Sequence, residues 1–372
     1  GISLFCARCF CENGTKGRVF ASIFRNLGEP ENFTITGWVM KPRSMRTILF
    51  LGVIFMLSAC SPAAPKLSGA SLFESVEAPT LPPTDAEPPM RVALVMKTLT
   101  NPFFIEMERG ARKAERELGI QLLVKTAAQE TSIQEQVQII DSLIQEKVDA
   151  IVIAPGDSVE LIPPLKRAQD AGIVIINIDN RLDADLSKKS GLKDVPYVGV
   201  DNEKGGYLSA MELVRRLTGP NEAAILEGIP TSQNSIDRVA GAQRAFAENP
   251  QIELVLIKSA HWKIDEGYEV TRELLAQFPN IKAVFCANDM MALGAVQYLQ
   301  DAGMQGVLVA GYDNLSEVQD ALKQGALVAT IDQQAAEQGY LGVQYAVRAL
   351  KNETLPAETL VDVHLVTAGS LP

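Results

Sequence analysis

The chain has 372 residues, 47% hydrophobic and 21% charged, with a formal net charge of −11, which is enough to bury a full core and to build two lobes. Residues 1–59 carry seven Lys/Arg against three Asp/Glu, a net of +4, so residues 60–372 carry −15. Such an acidic body lacks the basic contacts that non-specific nucleic-acid binding needs. The two histidines, His261 and His364, lie outside any metal-ligand motif, so His-based catalysis and a metal site are not expected.

Residues 1–44 show no sustained periodicity and read as a disordered upstream extension, with Met45 as the natural start. Cys6, Cys9 and Cys11 fall here without the second ligand cluster a zinc site requires. Lys41, Arg43 and Arg46 precede the short apolar run Ile48–Leu57, which ends in Leu57-Ser58-Ala59-Cys60. A basic start, a short apolar stretch and small residues before the cleavage point make 45–59 a secretory signal. The cysteine after small residues resembles the bacterial lipobox, which implies a diacylglyceryl group on Cys60, cleavage before it and an extracytoplasmic, membrane-anchored protein. Residues 60–89, rich in Pro, Ala, Ser and Glu, then read as an extended tether from the lipid.

From Arg91 the pattern alternates. The apolar runs Val92–Met96, Gln121–Thr126, Ala150–Ala154, Val174–Ile178 and Val195–Val200 are separated by the amphipathic stretches Phe104–Leu118, Ile133–Glu146 and Ser158–Ala171. A second series follows Asp201. Its helices are Lys204–Leu217, Ser235–Glu248, Ile264–Phe278, Met290–Asp301, Leu315–Lys323 and Gln334–Leu350. Its strands are Ala223–Glu227, Glu253–Lys258, Ala283–Ala287, Val307–Ala310 and Leu327–Ile331. Alternating strands and helices predict parallel sheets of α/β class, and the length favours two lobes over one very long sheet.

Polar residues collect where these strands end. Lys97 and Asn101 follow the first strand, just before Pro102-Phe103-Phe104. Asp179-Asn180-Arg181, Trp262, Asn288-Asp289, Asp313 and Gln333 follow later ones, and Arg238 sits near the start of its helix. Ligands bind at the carboxyl ends of strands in such sheets. Flat rings beside hydrogen-bonding groups suit a molecule with an apolar face and a polar edge, such as a sugar ring. Taken singly, each residue has a plainer use: an Asn or Asp at a strand end commonly caps a helix, and a Phe pair commonly fills a core. Their collection at strand ends is what points to a ligand. Cys286 reads as a small buried hydrophobe, and His261 as a solvent-facing loop residue.

Lys97-Thr-Leu-Thr-Asn-Pro-Phe-Phe104, Cys286-Ala-Asn-Asp289 with Met291-Ala-Leu-Gly294, and Gly311-Tyr-Asp313 resemble the periplasmic sugar-binding proteins of ribose/allose type that serve bacterial ABC importers. The resemblance spans Arg91 to Ala368. It implies two doubly wound open parallel-sheet lobes joined by a three-strand hinge, the type I periplasmic binding protein fold. The lobes would be 90–200 plus 334–361 and 201–333 plus 362–372, closing on a monosaccharide or related polyol that is handed to the permease. It further implies that Phe103, Phe104 and Trp262 sandwich the ring, while Asn101, Asp179, Arg238, Asn288, Asp313 and Gln333 bind hydroxyls. Lys97 matches the lysine of the allose type and favours a hexose. The ribose type has Arg directly after the aspartate, whereas here Asn180 precedes Arg181; both are candidate contacts. The allose type has Trp where Phe104 stands, which leaves the sugar open.

The resemblance implies no cofactor, no catalysis and a monomer. A sensory receptor of the same fold, signalling to a membrane kinase or chemoreceptor, is the alternative output. A lactose-repressor-type regulator would need a helix-turn-helix where residues 1–89 instead offer a signal and a tether. A glycosidase would need Asp179 and Asp313 to act as a carboxylate pair. No phosphate loop or nucleophile elbow accompanies them.

Overall fold

The computed structural model describes residues 88–371. The expectations for the upstream extension, the signal segment, Cys60 and nearly all of the tether lie outside the described residues.

A first lobe is built from β1 (Arg91–Met96), α1 (Pro102–Leu118), β2 (Gln121–Thr126), α2 (Ile133–Glu146), β3 (Ala150–Ile153), α3 (Ile162–Asp170), β4 (Val174–Ile178), α4 (Ala184–Ser190) and β5 (Tyr197–Val200). The second begins with α5 (Asn202–Val214), β6 (Asn221–Glu227), α6 (Gln233–Ala247), β7 (Ile252–Ser259) and α7 (Ile264–Gln277). It continues through β8 (Ile281–Cys286), α8 (Asp289–Asp301), β9 (Leu308–Ala310), α9 (Gln319–Gln324) and β10 (Thr330–Asp332). The chain then returns to the first lobe with α10 (Ala335–Leu350) and β11 (Glu358–Val361), and β12 (His364–Val366) pairs antiparallel with β10.

The first sheet runs β2-β1-β3-β4-β5-β11, every pair parallel; the second runs β7-β6-β8-β9, also parallel. Strand order reverses between β1 and β3 and between β6 and β8, and a crevice opens at the carboxyl ends of strands at such reversals. β3 is apolar and buried at every position, as a parallel strand covered on both faces must be. Separate apolar clusters cover the two faces of the first sheet, and one large cluster fills the second lobe. A small fourth cluster sits at the crossings between lobes, where Val200, Ile331 and Val363 close around the fully buried ring of Tyr312.

Local chemistry explains the departures from the sequence expectation. The helix expected from Ser158 starts at Ile162, because Pro163 and Pro164 have no N–H to give and are tolerated only in a first turn. The single helix expected over Leu315–Lys323 is a 3₁₀ turn, Ser316–Val318, followed by α9. The strand expected over Leu327–Ile331 begins later, at Thr330, with Ala329 forming only an isolated bridge to Ala310. The helix expected from Lys204 starts at Asn202, where the Asp201 carboxylate accepts from Lys204 N.

Two glycines set the spacing on which the site depends. A Cβ at Gly206 would lie 2.2 Å from the carbonyl oxygen of Arg238, and one at Gly241 would lie 2.1 Å from that of Glu203. Helices α5 and α6 therefore touch backbone to backbone, which fixes where the Arg238 side chain starts.

Candidate functional site

Twelve side chains line a small space between the lobes: Lys97, Asn101, Phe103, Phe104, Glu130, Asp179, Asn234, Arg238, Trp262, Asn288, Asp313 and Gln333. A larger, open groove lined by Ile105, Glu106, Glu317 and Glu337 lies outside it and shares only Phe103 and Asp313 with it among the described residues.

The first lobe supplies its groups as the leading turn of α1 and the loops after β1, β2 and β4. Asn101 caps α1, accepting from Phe103 N at 3.1 Å, and its amide donates to Glu130 Oε1 at 2.9 Å. Pro102 follows in the first helical turn, where its missing N–H costs nothing. Phe103 and Phe104 meet edge to face, 5.1 Å between centroids, and the Lys97 ammonium lies 5.6 Å from the Phe104 ring. Lys97 Nζ approaches Asp179 Oδ2 at 2.8 Å, both side chains buried. Apart from this ammonium, no donor among the described residues reaches Asp179 Oδ2.

The second lobe converges on Arg238. Its Nε donates to Asn202 Oδ1 at 2.8 Å, Nη1 to the Ala287 carbonyl at 2.9 Å and Nη2 to Gln333 Oε1 at 3.2 Å. Asp313 Oδ1 lies 3.6 Å from Nη1 and accepts from Gln333 Nε2 at 2.6 Å. The guanidinium stacks on Tyr312 at 3.7 Å and faces Trp262 at 5.6 Å. Asn288 caps α8 through Met291 N and donates to the Trp262 carbonyl at 3.2 Å, so the residue that ends one loop also secures the next.

Asp179, Trp262 and Asp313 have φ of 61°, 68° and 126°. Such backbone costs non-glycine residues of order 1–3 kcal/mol each and is tolerated where a site over-determines it. Burial raises the Glu130 carboxyl above its ordinary range, against the pull of the Lys97 ammonium and the Asn101 amide. Burial also holds Asp313 well above it, with Arg238 opposing. Nearby Asp289, which accepts from Thr330 and from Leu315 N, is pushed up to about 6 by its burial.

Ten of the twelve sequence candidates share this cavity; Asn180 and Arg181 do not. The left-handed turn at Asp179 sends the next two side chains elsewhere. Asn180 is fully buried behind the cavity wall, where it donates to the Pro155 carbonyl at 3.0 Å. Arg181 reaches the surface, pairs with Glu358 and stacks on Tyr197 at 3.9 Å. Glu130 and Asn234 were missed. Glu130 follows β2 and the strand-end rule could have found it; Asn234 sits one helical turn before Arg238, on the same face of α6. His261 stays partly exposed and pairs with Glu266. Among the described residues no group of three or more His, Cys, Asp or Glu could hold a metal ion.

Residues 92–354 match the family described as periplasmic binding protein domain. A D-ribose/D-allose-binding protein of Pseudomonas aeruginosa is 40% identical over 287 residues, 75% of this chain and 89% of its own length. The D-allose-binding periplasmic protein of Escherichia coli is 34% identical, over 74% of this chain and 91% of its own. An ABC transporter solute-binding protein from Actinobacillus succinogenes, solved with D-allose, superposes with a TM-score of 0.71 at 40% identity, covering 76% of this chain and 98% of that one. A Caulobacter myo-inositol binding protein, solved with myo-inositol, gives 0.69 at 27% identity, covering 75% and 94%.

Proposed function

The chain belongs to the ribose/allose family of periplasmic-type ABC transporter solute-binding proteins, and from that premise we propose that its ligand is a neutral aldohexose of the allose type. Its fold is the type I periplasmic binding protein fold. It is an extracytoplasmic sugar- or polyol-binding protein that works with ABC permease subunits, and it is not an enzyme.

The observation that carries the proposal is the small interlobe cavity, where Phe103, Phe104 and Trp262 line one space together with a set of hydrogen-bonding groups. Its lining carries three carboxylates, Glu130, Asp179 and Asp313, against two cations, Lys97 and Arg238. Both cations already face buried carboxyl groups, Lys97 that of Asp179 and Arg238 that of Asp313, so neither is left free for an anionic sugar and a neutral ring is favoured. Lys97 supports a hexose, and the relatives at 40% and 34% identity are proteins named for ribose and allose. Closure of the lobes around the ring desolvates both. A wrong epimer would leave buried groups unpaired at about 1–3 kcal/mol each.

The test is thermal unfolding across a panel of monosaccharides and cyclitols, with D-allose expected to raise Tm most, as RT ln(1 + [L]/Kd) requires. A larger rise with D-ribose or myo-inositol would reassign the ligand, and no rise with any of them would sink the proposal. The Leu57-Ser58-Ala59-Cys60 stretch supports anchoring through lipid on Cys60. On this reading Cys60→Ser moves the protein from the membrane fraction to the soluble one.

A further inference from the structure

The N-terminus of α6 is capped from the other lobe. Backbone N–H groups in a first helical turn have no intrahelical partner, and the residue before the helix commonly supplies one. Here that residue, Ser232, caps nothing on its own helix. Its hydroxyl instead donates to the Gly156 carbonyl of the first lobe at 2.7 Å. The orphan N–H groups go the same way: Gln233 N donates to Ser158 Oγ at 3.0 Å and Asn234 N to Asn180 Oδ1 at 3.2 Å. All of Ser158, Asn180 and Ser232 are buried, and none of them lines the cavity.

The receiving loop is held by contacts within its own lobe. Gln136 clamps it from both sides, donating to Ala154 O at 3.0 Å and accepting from Gly156 N at 2.8 Å. Asp157 Oδ1 accepts from Val159 N and Glu160 N, and Asn180 holds Pro155 O. A preformed acceptor loses little freedom when its partner docks.

We propose that Ser158, Asn180 and Ser232 form an interlobe latch that makes the closed state last, so that they set ligand residence time without touching ligand. The latch rests on the reading that the lobes close on a sugar. It exists only when α6 meets the 156–158 loop. Removing it therefore opens the closed state faster and leaves the encounter of sugar with the open lobes alone.

The experiment uses Ser232→Ala and Asn180→Ala, with D-allose as the probe. Stopped-flow fluorescence gives koff and kon, and spin-label distances between the lobes give the closed fraction with and without sugar. Each variant should release D-allose about tenfold faster, on the scale of one lost hydrogen bond. The association rate should stay within about twofold, and the closed fraction should fall. The ligand-free Tm of Ser232→Ala should not move, because the open lobes do not use the contact. Asn180→Ala also loses its bond to Pro155, so Ser232→Ala, acting from the opposite lobe, separates latch from local folding. An unchanged koff and closed fraction in Ser232→Ala would overturn the latch. Should wild-type protein ignore D-allose, the ligand proposal fails by itself, and the latch is then judged on the same koff and closed fraction with D-ribose or myo-inositol as the probe.

Discussion

The two lobes present their polar groups to the cavity in different ways. The first lobe works in pairs: Lys97 with Asp179, and Asn101 with Glu130. The second is a hub, in which one guanidinium serves Asn202, Ala287, Gln333 and Asp313 and lies flat on Tyr312. Tyr312 in turn sits among the residues at which the chain crosses between lobes. Damage to a pair stays local, while damage to the hub reaches every group that shares it and the pivot behind them.

Arg238→Ala should therefore be the costliest single change. It strands several buried groups at once and should weaken sugar binding by ~2–5 kcal/mol, with a marked fall in Tm, by calorimetry on both counts. Sugar affinity that did not change would take Arg238 out of the site. Adding Asp313→Asn should not rescue it, since the groups on Asn202, Gln333 and Ala287 remain unmatched. Lys97→Met comes next. It leaves Asp179 as a buried, uncompensated carboxylate, at about 3 kcal/mol of stability, the lower end for a broken buried pair. Because Lys97 and Asp179 are each other's direct ionic partner, Lys97→Met with Asp179→Asn should recover most of that loss, giving a large coupling energy in denaturant melts. A hub that could be rescued, or a pair that could not, would erase the contrast between the lobes.

Trp262→Phe is milder. Trp262 belongs to the second lobe's core and packs against Gly228, so truncation to Ala would confound affinity with folding. The smaller ring keeps a plate in place and should weaken sugar binding by about 1 kcal/mol, with Tm nearly unchanged. A collapse in Tm with affinity intact would make the ring core alone.

Much of this site was legible because strand ends announce themselves: an apolar run stops and a polar residue follows. Lys97, Asp179, Asn288 and Asp313 all stand at such stops. Asn180 and Arg181 stand there too, yet leave the cavity, because the 61° φ at Asp179 turns the chain and no residue type at that position betrays the turn. Asn234 was illegible for the opposite reason, since it lies within a helix at a position that alternation of strands says nothing about. The crossing of α6 N–H groups to the first lobe depends on which loops face each other across the gap, which local pattern does not encode.

The smallest expected effect tests the hub from behind. Asp289 is fully buried near Asp313, held by Thr330 and Leu315 N, and burial pushes its carboxyl up to about 6 from the ordinary 3.8. A carboxyl raised in the folded state binds more protons folded than unfolded, so stability must fall as pH rises between the two values. Its contribution is whole below 3.8 and lost once pH passes about 6. Asn at this position keeps one acceptor and cannot ionise, so Asp289→Asn should remove that part of the slope. Urea unfolding of ligand-free protein from pH 4 to pH 7 supplies the check: wild type should lose stability relative to Asp289→Asn as the pH climbs. A wild type that instead gains on the variant with rising pH would mean that Thr330, Leu315 N and the Arg238 charge outweigh burial, and that the hub extends its field one residue further than the guanidinium reaches.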